Sequence, residues 1–241
     1  LVDMYAKCGM LLKAQQVHDE FPFRDTAFRN ALIAGYAQHG HNHESLSCFQ
    51  RMQNEGISPN AITFICILKA CGGIGCIEKG KQIHDEIVDR GLLERDVMLG
   101  SALVDMYAKC GAIEKAQSVH DALQTHNVVS WSSLISGYVE KDRNHEALKC
   151  FESMREQGIC PSAITFICTL KACASIRDIR KGYQIHDEIV NRGGDLEKDA
   201  LLGTALVNMY AKCGVLTKAH EVLEALPFRD TICWSALISG Y

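Results

Sequence analysis

The chain has 241 residues, of which 47% are hydrophobic and 22% charged, with a formal net charge of −4. This composition is typical of folded globular proteins and excludes an intrinsically disordered chain, while the small negative charge excludes a basic field over the whole surface. No run approaches the roughly 20 consecutive apolar residues that span a bilayer, so the sequence predicts no membrane segment.

One nonapeptide marks a long period in the sequence. LVDMYAKCG occupies residues 1–9 and 103–111, and it returns at 206–214 with Asn208 in place of Asp. Between these copies other stretches return in the same order, such as AITFICILKAC at 61–71 and AITFICTLKAC at 163–173. Each long period contains three shorter, mutually similar units. The sequence therefore predicts a repeat protein.

The spacing of apolar residues predicts that each unit is a pair of helices. Leu103, Met106 and Tyr107 recur at intervals of three and four, Gly111 follows where a left-handed C-cap is expected, and a second apolar stripe begins at Ile113. The β-branched stretch AITFICIL could form a strand in isolation, but its place in the repeat predicts a first helix. A single hairpin cannot bury its apolar face, whereas stacked hairpins can. The expected fold class is all-α, a superhelical α-solenoid of stacked antiparallel helix-turn-helix repeats.

The twelve cysteines follow the repeat rather than a disulfide or zinc pattern. Nine of them share a repeat phase, for example Cys71 with Cys173 and Cys110 with Cys213. A residue that recurs at one structural position favours one structural role, here helix packing, and a reducing compartment. No C-x-x-C occurs, so no metal site is predicted.

The order, lengths and sequence motifs of the units resemble those of the pentatricopeptide repeat family. Unit lengths run 35, 36, 31 and then 35, 37, 31, with LVDMYAKCG in each 31-residue unit and G-I-x-P closing each 35-residue unit. More narrowly they resemble the plant PLS subclass, in which P, L and S units alternate. The predicted units are a partial S unit at 1–25, P units at 26–60 and 128–162, L units at 61–96 and 163–199, S units at 97–127 and 200–230, and the start of a P unit at 231–241. Because the chain begins and ends inside a unit, we expect a piece of a longer array.

A tetratricopeptide scaffold that binds a protein or peptide on its concave face is the alternative. Its pattern W-x-x-L-G-x-x-Y is partly met by Trp131, Leu134 and Tyr138, but Ile135 stands where that pattern has glycine. The 34-residue period of that family is also absent.

The resemblance implies single-stranded RNA as the partner, with one base read per unit by the fifth and last residues. Carried over to this chain, the base-reading residues are Asp25; Asn30 with Asn60; Asp96; Ser101 with Asn127; Ser132 with Ser162; Asp199; Thr204 with Asp230; and Ser235. In the family an Asn/Asn pair reads a pyrimidine, Ser/Asn adenine and Thr/Asp guanine. The fifth residues of the L units, Ile65 and Ile167, cannot hydrogen-bond a base edge. The expected RNA is 5′-(G or U)-pyrimidine-N-A-N-N-G-purine-3′.

The resemblance also assigns two supporting sets. The second residues of the units are expected to sandwich bases, and they are Ile62, Met98, Val129, Ile164, Leu201 and Ile232, with Ala27 as a weak version. Their alternative interpretation is ordinary core at the start of a helix. Lys7, Lys109 and Lys212 are expected to contact phosphate, although cations also suit helix C-termini for electrostatic reasons alone.

No catalytic signature is predicted in these residues. His-x-Glu, half of a nucleic-acid deaminase signature, occurs at His84/Glu86 and His186/Glu188, and also at His18/Glu20. Its other half, P-C-x-x-C, is absent, and repetition along the array favours a solvated polar face. The sequence thus predicts no enzyme, cofactor or small-molecule substrate. The resemblance implies the specificity part of an RNA editing or processing factor in a mitochondrion or chloroplast, with editing or processing cofactors as partners and with chemistry from a further deaminase-type domain or a recruited protein.

Overall fold

The computed structural model describes residues 1–20, 26–94, 96–192, 199–226 and 231–240. Within these ranges it contains helices and no strand. The helices are α1 (Val2–Lys7), α2 (Leu11–Glu20), α3 (Thr26–Gln38), α4 (Asn42–Asn54), α5 (Ala61–Ile74), α6 (Ile77–Asp89), α7 (Val97–Lys109), α8 (Ile113–Ala122), α9 (Val128–Glu140), α10 (Asn144–Glu156), α11 (Ala163–Ile176), α12 (Ile179–Asn191), α13 (Ala200–Lys212), α14 (Leu216–Ala225) and α15 (Thr231–Gly240). None of the helices in the described ranges is long and apolar enough to cross a membrane.

The chain divides into two compact units, Leu1–Ser130 and Trp131–Tyr241. In the first, the odd-numbered helices α1, α3, α5 and α7 pack on one another in chain order, and each even-numbered helix up to α6 packs on the first helices before and after it. In the second, α11, α13 and α15 form the same kind of layer. Each unit therefore has a layer of first helices in mutual contact and a layer of second helices beside it.

The cores of the hairpins are the apolar stripes that the spacing predicts. Leu103, Met106 and Tyr107 are buried on α7, and Ile113 and Ala116 are buried on α8. The β-branched stretch at 61–68 lies in α5, so the repeat context overrides its local preference for a strand. Its capping residue and the packing of α5 against α3 and α7 supply what intrinsic propensity does not.

In the copies of the nonapeptide at 103–111 and 206–214, three side chains contact the preceding hairpin. A Cβ on Gly80 of α6 would lie 2.4 Å from Met106 Sδ, so only glycine accommodates the methionine without a shift. Tyr107 Oη lies 2.9 Å from His84 Nδ1, and Cys110 Sγ lies 3.8 Å from the carbonyl oxygen of Cys71. The same contacts join Met209 to Gly182, Tyr210 to His186 and Cys213 to Cys173.

The imidazoles of His84 and His186 are not on a solvated face, and the prediction is wrong for these two copies of the His-x-Glu motif; the side chain of His18 lies outside the part that the structure describes. His84 and His186 are half-buried and hydrogen-bonded to tyrosines, and burial lowers the pKa of both imidazoles. Glu86 pairs with Arg90 at 2.5 Å, and Glu188 pairs with Arg192 at 2.7 Å. These contacts give the motif a packing role in each hairpin, which explains why it repeats.

The cysteines range from buried to exposed, and the exposed Cys8, which shares a repeat phase with Cys110 and Cys213, does not fit the packing interpretation. Cys48, Cys71 and Cys173 are buried, as the packing interpretation predicts, and burial raises the pKa of the Cys71 and Cys173 thiols to about 12. Cys110 and Cys213 are only partly buried, because they stand at the C-caps of α7 and α13. The glycine that follows, Gly111, has φ of 74°, the left-handed conformation expected at this place.

Stability is expected to fall in mild acid because of a buried histidine pair. His120 is buried and stacks on His126 with ring centroids 4.1 Å apart; burial, and next the charge of His126, lower the pKa of His120 to about 4. Since an unfolded histidine titrates near 6.5, the unfolded chain takes up protons first, and stability is lost as the pH falls below about 6.5. Between about pH 7.5 and pH 5 we expect a loss on the order of 2 kcal/mol in urea unfolding. His120→Gln should flatten this dependence, and an unchanged profile would contradict the assignment.

Candidate nucleic-acid interface

In the five predicted units whose last residue the structure describes, that residue caps the N-terminus of the next unit's first helix. Asn60 caps α5 and accepts from the backbone N–H of Thr63 at 3.1 Å, within a reciprocal capping box. Asn127 accepts from the N–H groups of Val129 and Ser130 at the start of α9, both at 3.0 Å. Asp96, Ser162 and Asp199 cap α7, α11 and α13. Asn, Asp and Ser are the residues that N-caps favour, so capping alone explains the residue types found here.

The fifth and last residues of unit 26–60 are in direct contact. Asn30 Nδ2 donates to Asn60 Oδ1 at 3.0 Å. Asn30 is buried in α3, whereas Asn60 is exposed at the junction. Thr63 of the next unit completes the cluster by donating from Oγ1 to Asn30 Oδ1 at 2.6 Å. Two amides from successive units are thereby held together at the edge of the first-helix layer.

The corresponding pair in unit 97–127 is joined in the same way. Ser101 Oγ lies 3.1 Å from Asn127 Oδ1 and 2.9 Å from the carbonyl oxygen of Val97. The carboxamide oxygen of Asn127 faces the helix N-terminus that it caps. The amide nitrogen is the end of Asn127 that remains for an external group.

Unit 128–162 joins its pair through a bridging hydroxyl. Thr165 Oγ1 lies 2.7 Å from Ser132 Oγ and 2.9 Å from Ser162 Oγ. Thr165 itself is fully buried, whereas both serines are partly accessible. The fifth and last residues are again neighbours, with one hydroxyl between them.

The remaining sequence-predicted readers differ from these three pairs. Asp96 accepts from the N–H groups of Met98 and Leu99 at 2.8 and 3.4 Å, and Asp199 accepts from Leu202 at 3.0 Å. Their predicted partners Ile65 and Ile167 are apolar and half-buried. Thr204 Oγ1 donates to the carbonyl of Ala200 at 2.7 Å, and Ser235 Oγ donates to that of Thr231 at 2.7 Å. Asp25 and Asp230 lie outside the described residues.

The second residues of the units are exposed, which overturns their alternative interpretation as core. Ile62, Met98, Val129, Ile164, Leu201 and Ile232 are between 43% and 71% accessible, and Ala27 is exposed as well. Their neighbours two positions along, such as Phe64 and Phe166, are buried. Large apolar side chains are therefore exposed to solvent at the same position of six first helices, and three of these positions lie beside the junctions that hold the polar pairs.

The three predicted phosphate ligands are not equivalent. Lys7 pairs with Asp3 at 2.8 Å, and Lys109 pairs with Asp105 at 2.7 Å, both four residues earlier on the same helix. At the third copy that acid is replaced by Asn208, and no ion pair to Lys212 occurs within the described ranges. Lys212 thus has the exposed ammonium group that is best able to accept a new anionic partner.

The sequence analysis did not identify the third residue of three units as part of the candidate interface. Thr63, Ser130 and Thr165 are fully buried hydroxyl residues, and each accepts from the backbone N–H of the preceding cap residue. The distances are 3.1, 3.3 and 3.1 Å for Asn60, Asn127 and Ser162. A capping-box pattern, with a hydroxyl three positions after Asn or Ser, was the available signal.

The exposure of the second residues yields a stability test. Ile164→Ser removes an accessible side chain and should change the free energy of unfolding by less than about 0.5 kcal/mol. Phe166→Ala, on the same helix, removes a buried ring and should cost roughly 3–5 kcal/mol. Urea unfolding followed by circular dichroism measures both. A cost for Ile164→Ser near that of Phe166→Ala would show that Ile164 belongs to the core.

Comparison with known proteins supplies the family. The PPR repeat family matches residues 24–73 and 126–175, and the PPR repeat matches residues 1–24 and 101–128, together more than half of the chain. One pentatricopeptide repeat-containing protein of Arabidopsis thaliana is 39% identical over 100% of this chain and 33% of its own length. A chloroplastic one from the same plant is 35% identical over 100% of this chain and 39% of its own. The chain thus spans about a third of the length of these relatives.

Solved structures give the same fold. The crystal structure of the pentatricopeptide repeat protein PPR10 in complex with an 18-nucleotide psaJ RNA element matches all of this chain and 36% of that chain, with a TM-score of 0.78 and 18% identity. The crystal structure of PPR10 from maize matches 99% of this chain and 35% of that chain, with a TM-score of 0.67 and 17% identity. This likeness confirms the expected all-α solenoid of stacked helix-turn-helix repeats. The chain is built of pentatricopeptide repeats and belongs to the PPR repeat family.

Proposed function

We propose that this chain binds single-stranded RNA through its first-helix layer, with one base at each unit and selectivity at the P and S units. The observation that carries this proposal is the convergence of fifth and last residues at three junctions, each beside an exposed apolar second residue. Polar groups at 3 Å from one another can meet one base edge together, and an exposed isoleucine or methionine can pack on a base face. These are the two contacts that single-base recognition needs.

The L units are proposed as spacers. Their fifth residues, Ile65 and Ile167, offer no hydrogen bond, and Asp96 and Asp199 use their carboxylates to cap helices. Together with the P, L and S alternation of unit lengths, this supports the PLS subclass. An RNA bound across a full period would then be read at two positions of every three.

The known relatives support an organellar role for the whole protein. PPR10 is seen with an RNA element, and several Arabidopsis relatives carry chloroplastic or mitochondrial in their names. We propose that the full protein supplies the sequence specificity of an RNA editing or processing factor in one of these organelles, with cofactors or a further domain for the chemistry. The chain's own part is recognition.

The proposal is tested by fluorescence anisotropy with a labelled RNA that carries the expected pattern. The comparison ligands are the same RNA in scrambled order and the matching DNA. Asn127→Asp should shift the preference at the fourth position from adenine to guanine by roughly tenfold, because a carboxylate replaces the outward amide. Asp caps α9 as well as Asn does, so the free energy of unfolding should change by less than about 0.5 kcal/mol.

The outcomes separate the proposal from its rival. Binding of the expected RNA over the scrambled one, with the exchange of preference in Asn127→Asp, supports reading of one base per unit. Equal binding of all three ligands, or none, would contradict it. In that case binding to peptides becomes the better account of the solenoid.

The phosphate contacts make a separate salt-dependent prediction. Lys212→Ala should weaken RNA binding for every sequence and reduce the slope of log affinity against log salt by about 0.7, the value for one phosphate contact on a single strand. The matched control is Lys109→Ala, whose ammonium group already pairs with Asp105 and should change the slope less. Equal slopes in both variants and the wild type would show that neither lysine contacts a phosphate.

A further inference from the structure

We infer that, in the unit that follows each P unit, the third residue is a positioning residue, which fixes the hydrogen-bonding polarity of the P unit's reading pair and thereby its base selectivity. This inference rests on the proposed RNA binding. The residues are Thr63 and Thr165, both buried, each three positions after the last residue of the P unit before it. At the same place after the S unit 97–127, the hydroxyl of Ser130 bonds the backbone N–H and the carbonyl oxygen of Asn127. The two threonines contact the pair from the protein side, so they act through it rather than on the base.

Thr63 determines which way two amides face. Its hydroxyl accepts from the backbone N–H of Asn60 at 3.1 Å, and its single proton can reach two carboxamide oxygens, of which Asn30 Oδ1 at 2.6 Å is closer than Asn60 Oδ1 at 3.1 Å. With that oxygen occupied, Asn30 Nδ2 faces Asn60 Oδ1 at 3.0 Å. Asn60 Oδ1 also accepts from the N–H of Thr63 at 3.1 Å, so both carboxamide oxygens are directed into the protein.

The consequence is a donor-only surface at this junction. One N–H of Asn30 and both N–H groups of Asn60 remain for an external partner, since each carboxamide carries two donors. Such a surface matches bases through their acceptors, such as the O2 atom of a pyrimidine. Without the Thr63 hydroxyl, the carboxamide of Asn30 could rotate and present its oxygen instead of its N–H group. The junction would then no longer offer donors alone, and its preference for acceptor atoms of the base would be lost.

Thr165 plays the same part between two serines. Its Oγ1 contacts Ser132 Oγ at 2.7 Å and Ser162 Oγ at 2.9 Å, and it accepts from the backbone N–H of Ser162 at 3.1 Å. One hydroxyl proton cannot serve both serines, so Thr165 donates to one and accepts from the other. The two serines are thereby given opposite roles.

The units that lack a polar fifth residue also lack a polar third residue in their successors. After Ile65 the successor's third residue is Leu99, and after Ile167 it is Leu202, and both leucines are buried. Capping by itself does not require this, because Asp96 and Asp199 cap α7 and α13 without a hydroxyl at that place. Polar third residues therefore accompany polar fifth residues, as expected if the two cooperate.

The test compares two substitutions of Thr63. Thr63→Val removes the hydroxyl at constant shape, and Thr63→Ser restores it. The control Thr169→Val removes a buried hydroxyl of α11 that bonds only backbone carbonyls, at 3.0 Å from those of Thr165 and Phe166. Anisotropy is measured on RNAs with a pyrimidine or a purine at the position read by Asn30 and Asn60, and with adenine or guanine at the position read by Ser101 and Asn127.

Thr63→Val should lower the pyrimidine-over-purine ratio roughly tenfold, leave the adenine-over-guanine ratio unchanged, and be rescued by Thr63→Ser. A purely structural role would weaken all RNAs alike and leave both ratios intact, which would overturn the inference while RNA binding stands. Side-chain amide signals in NMR supply a readout without RNA. The Asn30 NH₂ resonances should shift in Thr63→Val and not in Thr169→Val, and an unmoved Asn30 signal would also overturn it. Failure of the wild type to select any RNA contradicts the proposed function itself.

Discussion

The N-cap at each junction between hairpins is the interaction on which the candidate interface depends. A first helix begins with N–H groups that need an acceptor, and the last residue of the preceding unit supplies it. Because the cap must lie at that helix end, its side chain is fixed in place and orientation. The fifth residue of the preceding first helix comes beside it through the stacking of first helices. Capping, a requirement of helix formation, therefore also assembles pairs of polar groups at regular intervals.

The triplet period follows from two kinds of junction. Where a 31-residue unit follows an L unit, Met106 packs on Gly80 and Tyr107 is hydrogen-bonded to His84. At this junction the fifth residue of the L unit is apolar. At the junctions with polar pairs, a buried hydroxyl residue stands behind the cap instead. Packing and recognition are thus distributed over different junctions. This division explains why the sequence repeats every third hairpin rather than every hairpin.

The burial of side chains in the structure decided the interpretation of two sets of residues, the second residues of the units and the histidines of the His-x-Glu motif. Ile62 and Leu201 have the periodicity of core residues, but they project from the first turn of a helix where no neighbouring helix covers them, and they are exposed. His84 and His186 lie in polar stretches, but they face the tyrosines of the next hairpin and are half-buried. Residue type was a poor guide to the histidines, since each is hydrogen-bonded to a tyrosine more than 20 positions away.

The sequence by itself determined the helical hairpins, their order and lengths, and the positions of the candidate readers, because each of these is a regular spacing along the chain. The apolar stripe of Leu103 and Tyr107 and the glycine after it are local signals of a helix and its end. Only the tertiary structure decided which side chains meet. That Thr63 donates to Asn30 and that Ile164 is accessible depend on how one hairpin lies on the next. Spacing along a helix defines a face, but the packing of neighbouring hairpins determines whether that face is covered, hydrogen-bonded or open to an RNA.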